Sequence, residues 1–249
     1  MPLFSAIALG QIGQWLRRPR WQLVIATMLV IFLTSVELSS ANNFVKPRNF
    51  LAASQRHPLP FTLMQWQDVD NSGDYFEQVK LTEVGYLVWS QFPVKVYIDT
   101  TQIQERVQAK AAVQEWNIYL PLQVVEQKDI ADIKIILKSL PLEMTNLLRA
   151  RSALTRYELY IDRISASATV LAHRCTIFIN PHQSSQYIKA AALHELGHAL
   201  GIWGHSLIAT DALYFSQVRN PLSISARDIN TLKRVYQQPT LLGWEVASE

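Results

Sequence analysis

The hydrophobic positions of this chain change their spacing several times, and these changes outline a series of strands and helices. Between residues 86 and 180, runs rich in valine, isoleucine and tyrosine have the composition of strands. Ile103, Val107, Ala111 and Trp116 recur instead with helical spacing and predict a helix that packs on the core. Strands are predicted over 86–99, 122–125, 131–137, 153–161 and 175–180, and helices over 102–119, 184–200 and 226–236. This mixture predicts a fold of the α+β class.

An apolar run from Trp21 to Val36 follows a group of arginines near the start of the chain. Its core, Leu23–Val36, has the length of the central region of a signal peptide and is short for a membrane span. Small residues up to Ala41 suit cleavage, whereas an uncleaved segment would anchor the chain in a membrane through residues 21–36. In both cases the arginines stay inside, so we expect an exported domain that is secreted, periplasmic or anchored outside the cytoplasm.

These features divide the chain into a signal peptide or signal anchor over 1–41, a connector or pro-segment over 42–82, a folded domain over 83–240 and a tail over 241–249. Within the connector, Asp68–Asp74 resembles the first half of a calcium-binding loop. The twelfth position of such a loop falls on Val79, where an EF-hand requires a glutamate. We therefore interpret this stretch as a solvated turn, and calcium is an option that no complete motif supports.

The composition limits the classes of protein to consider. With 249 residues, of which 49% are hydrophobic and 17% charged, the chain accommodates one ordinary domain and an additional apolar segment. The net charge of +3 is small and the arginines are dispersed after residue 20, so no basic patch indicates nucleic-acid binding. Cys175 is the single cysteine, which excludes an internal disulfide and is typical of a buried strand residue.

Residues 194–205 read HELGHALGIWGH and carry the clearest chemical signal in the chain. His194 and His198 lie four residues apart, so both imidazoles project from one face of a helix and can bind one metal ion. Glu195 is adjacent, where it can take a proton from a metal-bound water without being a ligand. Alanines and leucines frame the motif, and Gly201 is suited to end the helix in a left-handed conformation. This is the HExxH pattern of zinc peptidases.

The same stretch resembles the extended zinc motif of the metzincins, HExxHxxGxxH. Among metzincins it is most similar to the matrixins, whose third histidine is commonly followed by serine, as His205 is by Ser206. One departure is that three residues separate Gly201 from His205, where the family has two. Gly204 can absorb the extra residue, because glycine accepts backbone angles that other residues avoid.

A second departure concerns the methionine that lies beneath the zinc in metzincins. Matrixins place it eight residues after the third histidine and before a tyrosine, and here those positions hold Leu213 and Tyr214. Leucine is apolar and similar in volume, a replacement that protein cores tolerate fairly well. We therefore expect the turn to be kept, with Leu213 as its floor.

The resemblance implies a zincin-type, metzincin-like domain with a mixed twisted sheet, an active-site helix and a C-terminal helix. It also implies a zinc metalloendopeptidase, a peptide hydrolase in which His194, His198 and His205 hold one catalytic zinc ion. Glu195 would be the catalytic general base, and the substrates would be proteins or peptides. The segment 131–135 resembles the central strand of matrixin domains.

The alternative zincin arrangement takes its third ligand from a glutamate in a later helix, but no glutamate lies between Leu196 and Trp244. The acidic residues there are Asp211, in the expected turn, and Asp228, at a helix start that Ser225 can cap. Elimination thus also favours His205 as the third ligand, and a metal site with only two histidines is the remaining alternative. For the function, the alternative is a membrane-anchored binding protein on an inactive metzincin-like fold, and a purely structural zinc domain is a third interpretation.

Overall fold

The computed structural model describes residues 54–138, 152–165, 168–216, 218 and 223–246. The predicted signal or anchor, the first part of the predicted connector and the last three residues of the predicted tail lie outside these ranges. Within the described ranges, the helices are all too short or too polar to span a membrane.

Strands and α-helices alternate only in the first part of the described chain, and a run of strands and then two helices follow. The first helix is α1 (Phe61–Gln65), followed by β1 (Val94–Asp99), α2 (Ile103–Trp116), β2 (Leu122–Val125) and β3 (Ile133–Leu137). The long strands β4 (Ala153–Arg163) and β5 (Thr169–Ile179) come next, and then α3 (Ser185–Ala199) and α4 (Ala226–Tyr236). Short 3₁₀ turns lie at Phe76–Gln78 and Lys128–Ile130.

The five described strands form one mixed sheet in the order β2-β1-β3-β5-β4. Four strands are parallel, and β4 pairs antiparallel with β5 at the edge of the sheet. Buried and half-buried residues alternate along β1 and β3, so one face of the sheet packs on the core. Helices α2 and α3 contact each other and the sheet. The predicted α+β class with a mixed sheet is confirmed.

Most predicted elements are present, but β1 and β5 start several residues away from their predicted first residues. Residues 86–93 are not part of the sheet. They pack beneath the end of α3, where Trp89 Nε1–H donates to Ala199 O at 2.9 Å. The predicted strand 86–99 is therefore reduced to β1. In contrast, β5 begins at Thr169 instead of Cys175, because residues 169–174 pair with the second half of β4. This pairing is a tertiary contact that the local sequence does not display.

The predicted helix over 102–119 exists as α2, and Trp116 of its predicted core face is fully buried, but the rest of that face differs from the prediction. Ile103 and Val107 are 78% and 50% exposed. The core face consists of Ala109, Ala112, Val113 and Trp116. Small alanines allow the backbones of α2 and α3 to approach closely, and this packing outweighs the burial of the larger residues on the other face.

The core extends upstream of Glu83, into the segment described from the sequence as a connector. Leu63, Tyr75 and Val79 are buried members of the main hydrophobic cluster. Lys80 N–H also donates to Trp203 O at 3.1 Å, beside the candidate site. We call residues 54–82 the upstream segment, and its packing shows that these residues contribute to the same folded core.

Candidate metal centre and cleft

Helix α3 carries the histidine motif and ends where glycine permits a reversal of the chain. Gly201 has a φ of 127°, which residues with side chains rarely adopt. Its N–H donates to His198 O at 3.0 Å, and Ile202 N–H donates to Gly197 O at 3.0 Å. These two bonds form a Schellman motif. The predicted helix stop at Gly201 is confirmed, and the reversal brings the following residues back toward the histidines.

Three imidazoles converge beside this reversal. The Nε2 atom of His198 lies 3.2 Å from Nε2 of His194 and 3.2 Å from Nε2 of His205. One ligand atom from each of the three residues lies within 4.8 Å of the others. Two nitrogens at about 2.0–2.1 Å from one zinc ion, near the tetrahedral angle, lie about 3.3 Å apart. The two separations from His198 fit a shared ion, so the three histidines could hold one metal ion.

Backbone carbonyls determine which nitrogen of His194 and His198 faces the cluster. Nδ1 of His194 lies 2.9 Å from Ala212 O, and Nδ1 of His198 lies 2.7 Å from Ile202 O. A carbonyl oxygen only accepts, so each neutral ring donates from Nδ1 and carries its lone pair on Nε2. Two lone pairs that face each other across 3.2 Å repel unless a cation lies between them. The donor set therefore fits a metal ion, and the carbonyls orient the ligands.

Burial keeps the histidines in the protonation state that binds metal. It lowers the pKa of both His194 and His198 to about 4, because a buried imidazolium loses its hydration. The pKa of His205 is lowered as well, by burial first and by the charge of Lys80 second. At neutral pH the rings of His194 and His198 are uncharged, and uncharged imidazole is the form that coordinates a metal.

Gly204 allows the upstream segment to pass close to the site. The prediction that it uses unusual backbone angles is wrong, because Gly204 is not among the residues with positive φ. Instead, a Cβ at this position would lie 2.1 Å from the backbone oxygen of Gln78. Only glycine permits this approach. His205 reaches the cluster despite the extra residue, and the adjacent glycine is needed for close packing.

Leu213 lies directly against the backbone of α3. It is fully buried, and a Cβ on Gly197 would lie 2.5 Å from one of its methyl carbons. Hydrogen bonds from Ser206 N–H to Leu213 O at 2.8 Å and from Phe215 N–H to Ser206 O at 3.2 Å close the loop that contains it. Leu213 thus packs against α3 at Gly197, the residue before His198, as expected for the floor of the turn.

Asp228 connects α4 to this loop. Its buried carboxylate accepts from Ala212 N–H at 2.8 Å and from Tyr75 Oη–H at 2.5 Å. Asp228 also forms a capping box with Ser225 at the start of α4, which confirms the predicted cap. Since Ala212 O is the partner of His194 Nδ1, Asp228 fixes the backbone that orients a histidine. The sequence pattern identified the cap but not this second role.

The carboxylate of Asp211 also has partners other than the three histidines. Its carboxylate accepts from Ser206 Oγ–H at 2.5 Å and from Ser225 Oγ–H at 2.8 Å, and it pairs with Arg227 Nε at 3.1 Å. The carboxylates of both downstream acidic residues thus have other partners. This arrangement agrees with the elimination that favoured His205 as the third member of the cluster.

Glu195 is a buried residue of α3 that lines the space beside the histidines. It is 7% exposed, and its Oε2 atom accepts from Thr155 Oγ1–H at 2.6 Å. The same hydroxyl lies 3.0 Å from the backbone oxygen of Glu195. Thr155 belongs to β4 and was not predicted as a site residue, because a single threonine in a strand is part of no motif.

A cleft of about 810 Å³ opens over the cluster, a volume within the usual range of ligand sites. The three histidines and Glu195 line it together with residues 152–155 at the start of edge strand β4. The upstream segment contributes Gln78 and Lys80. The loop after His205 contributes Leu207 and Phe215, which are both exposed. The cleft is open and lies along a sheet edge, so it can admit an extended chain.

The calcium-like stretch in the upstream segment has other partners for its acidic side chains. Asp68 accepts from Ser72 N–H and from Asn230 Nδ2–H, both at 2.6 Å. Asp74 pairs with Arg234 at 2.9 Å. The predicted turn is present, but α4 holds it in place and puts a positive charge beside it. These contacts disfavour a calcium ion at this position.

Comparisons with known proteins give matches among solved structures only. No family model matches the chain, and neither does any curated protein. Among solved structures, one of myroilysin is similar with 14% sequence identity and a TM-score of 0.36, over 59% of this chain and 96% of that one. A second structure of myroilysin has 13% identity and a TM-score of 0.36, over 69% and 98% of the two chains. A likeness at this level carries no argument for a family or an activity.

Proposed function

We propose that this chain is a zinc-dependent metalloendopeptidase. The observation that supports this proposal most strongly is the convergence of three imidazoles beside a buried glutamate, with His198 Nε2 at 3.2 Å from Nε2 of both His194 and His205. Nitrogen ligands in a tetrahedral arrangement with one position left for water are typical of catalytic zinc. When bound, zinc would act as a Lewis acid that lowers the pKa of a water molecule and polarises the scissile carbonyl.

In this proposal Glu195 is the proton carrier. It removes a proton from the attacking water, whose oxygen forms a bond to the carbonyl carbon, and it returns that proton to the nitrogen as the peptide bond breaks. Glu195 is suited to this role because it follows the first histidine directly and lines the same cleft. The hydroxyl of Thr155 holds one of its carboxylate oxygens at 2.6 Å.

The cleft suits a peptide in extended conformation. Edge strand β4 has β5 as its only strand partner among the described residues, and residues 152–155 line the cleft. Backbone groups at a free sheet edge can pair with an added strand. We therefore propose unfolded or extended polypeptide as the substrate class.

No observation favours the inactive binding protein over the enzyme. The first departure from the metzincin motif, the extra residue before His205, still leaves Nε2 of His205 3.2 Å from Nε2 of His198. The second, leucine in place of methionine, leaves Leu213 packed against α3. The proposal also includes export, which rests on the arginines at 17–20 and the apolar run 21–36.

The test is cleavage of denatured casein by zinc-loaded protein, compared with Glu195→Gln. The amide keeps the size of the side chain but cannot accept a proton near neutral pH, so the variant should retain zinc and lose about two to four orders of magnitude in rate. A chelator should abolish wild-type cleavage, and added zinc should restore it. Equal rates for wild type and a zinc-loaded Glu195→Gln protein would contradict the proposal and favour the binding protein.

A further inference from the structure

We propose that Thr155 is a positioning residue for the carboxylate of Glu195, an inference whose catalytic part rests on the proposed function. Thr155 is the third residue of β4, and its side chain points from the edge strand onto α3. It is 6% exposed and Glu195 is 7% exposed, so bulk water competes little for this hydrogen bond. The pair links a sheet edge that lines the cleft to the helix that carries the histidines.

The two distances of the Thr155 hydroxyl define what it can do. It lies 2.6 Å from Glu195 Oε2 and 3.0 Å from the backbone oxygen of the same residue. A hydroxyl has one hydrogen, and a charge-assisted bond to an ionised carboxylate is the stronger of the two. While Glu195 is ionised, Thr155 therefore donates to Oε2 and restricts rotation of the carboxylate.

The same hydroxyl can also serve the protonated acid. If Glu195 is protonated at Oε2, Thr155 Oγ1 accepts a hydrogen bond from Oε2–H. Its own hydrogen then turns toward the backbone oxygen of Glu195, at 3.0 Å. The ionised and the protonated forms of Glu195 thus both keep Thr155 as a hydrogen-bond partner, without a shift of heavy atoms. Valine at this position would have a similar shape but would offer neither bond.

This role predicts a specific pattern in steady-state kinetics. Thr155→Val should lower kcat by roughly ten- to a hundredfold, the range expected for loss of a hydrogen bond to a charged group. KM should change by less than about threefold and zinc content should not change, because Thr155 is not among the predicted ligands. Thr155→Ser is the matched control, since it keeps the hydroxyl, and it should stay within about threefold of wild type. Equal kcat values for the valine and serine variants would overturn the proposal.

A second measurement does not depend on activity. Chemical unfolding of the zinc-free protein can be followed for wild type, Thr155→Val, Glu195→Ala and the double variant. If the hydroxyl binds the carboxylate, the two substitutions should not be additive, and the unfolding equilibrium constant should show a coupling of about threefold or more. Additive effects would overturn the contact itself. If zinc-loaded wild type cleaves no substrate, the proposed function and the catalytic part of this inference both fail, whereas the unfolding cycle still decides the contact.

Discussion

Replacement of Gly204 by alanine would test whether the upstream segment is part of the candidate metal centre. A Cβ at this position would lie 2.1 Å from Gln78 O, 2.7 Å from Gln78 C and 3.0 Å from Val79 Cα. All three atoms belong to the backbone, so no side chain can rotate away to make room. Since carbon and oxygen atoms normally stay about 3.3 Å or more apart, the two segments must separate by about 1 Å.

The expected cost follows from this displacement. Overpacking of a well-packed site typically destabilises a protein by about 1–3 kcal/mol. For a domain of this size, each kcal/mol lowers the melting temperature by about 2–4 °C. His205 is the next residue along the chain, so the same shift should move a proposed zinc ligand. We expect zinc affinity to fall by about ten- to a hundredfold, as it does when the groups that orient ligands are removed.

The assay combines thermal unfolding with competition for zinc by a chromogenic chelator. Gly73→Ala is a suitable control in the same segment, because its φ of 76° makes alanine unfavourable while its Cβ would meet only Arg227 Nη1, at 3.4 Å. The control should lower the melting temperature without weakening zinc binding. A Gly204→Ala protein with wild-type melting and wild-type zinc affinity would show that Gln78 does not pack against this loop, and the account of the upstream segment would be wrong.

Three further predictions concern the ligands, the loop floor and pH. His198→Ala should remove most of the bound zinc, because its Nε2 lies 3.2 Å from both other imidazoles; unchanged zinc by metal analysis would exclude it as a ligand. Leu213→Met should cost less than about 1.5 kcal/mol, whereas Leu213→Asp should be severe because it buries a carboxylate against α3; equal melting temperatures would show that Leu213 is not buried. Metal-free protein should lose stability as the pH falls from 6.5 toward about 4, since the pKa values of His194 and His198 are depressed and the unfolded chain binds protons first; a melting temperature that is constant over this interval would contradict the burial of these rings.

The histidine motif shows how far sequence reasoning can reach. Spacing along one helix is a local property, so His194, His198 and the stop at Gly201 follow from the sequence and helix geometry alone. The strand Leu122–Val125 and the helix Ala226–Tyr236 were predicted with their observed ends, because clear composition and a capping residue mark them. The placement of Leu213 rested on the metzincin resemblance, and its burial agrees with it.

Contacts between distant segments could not be predicted in this way. Thr155 meets Glu195 across 40 positions, and Tyr75 meets Asp228 across 153 positions. No periodicity connects such pairs, since they depend on how strands and loops pack. The role of Gly204 was misjudged for the same reason, because it depends on the distant carbonyl of Gln78.

The coordination of the bound metal tests the central claim most directly. X-ray absorption at the zinc edge, on protein with one zinc per chain, should give four nitrogen or oxygen ligands at about 2.0–2.1 Å and outer-shell scattering from three imidazole rings. The same measurement on His205→Ala should give outer-shell scattering from two imidazole rings. A wild-type spectrum with two histidine nitrogens, or one that His205→Ala leaves unchanged, would contradict the proposal that His194, His198 and His205 together hold a catalytic zinc ion.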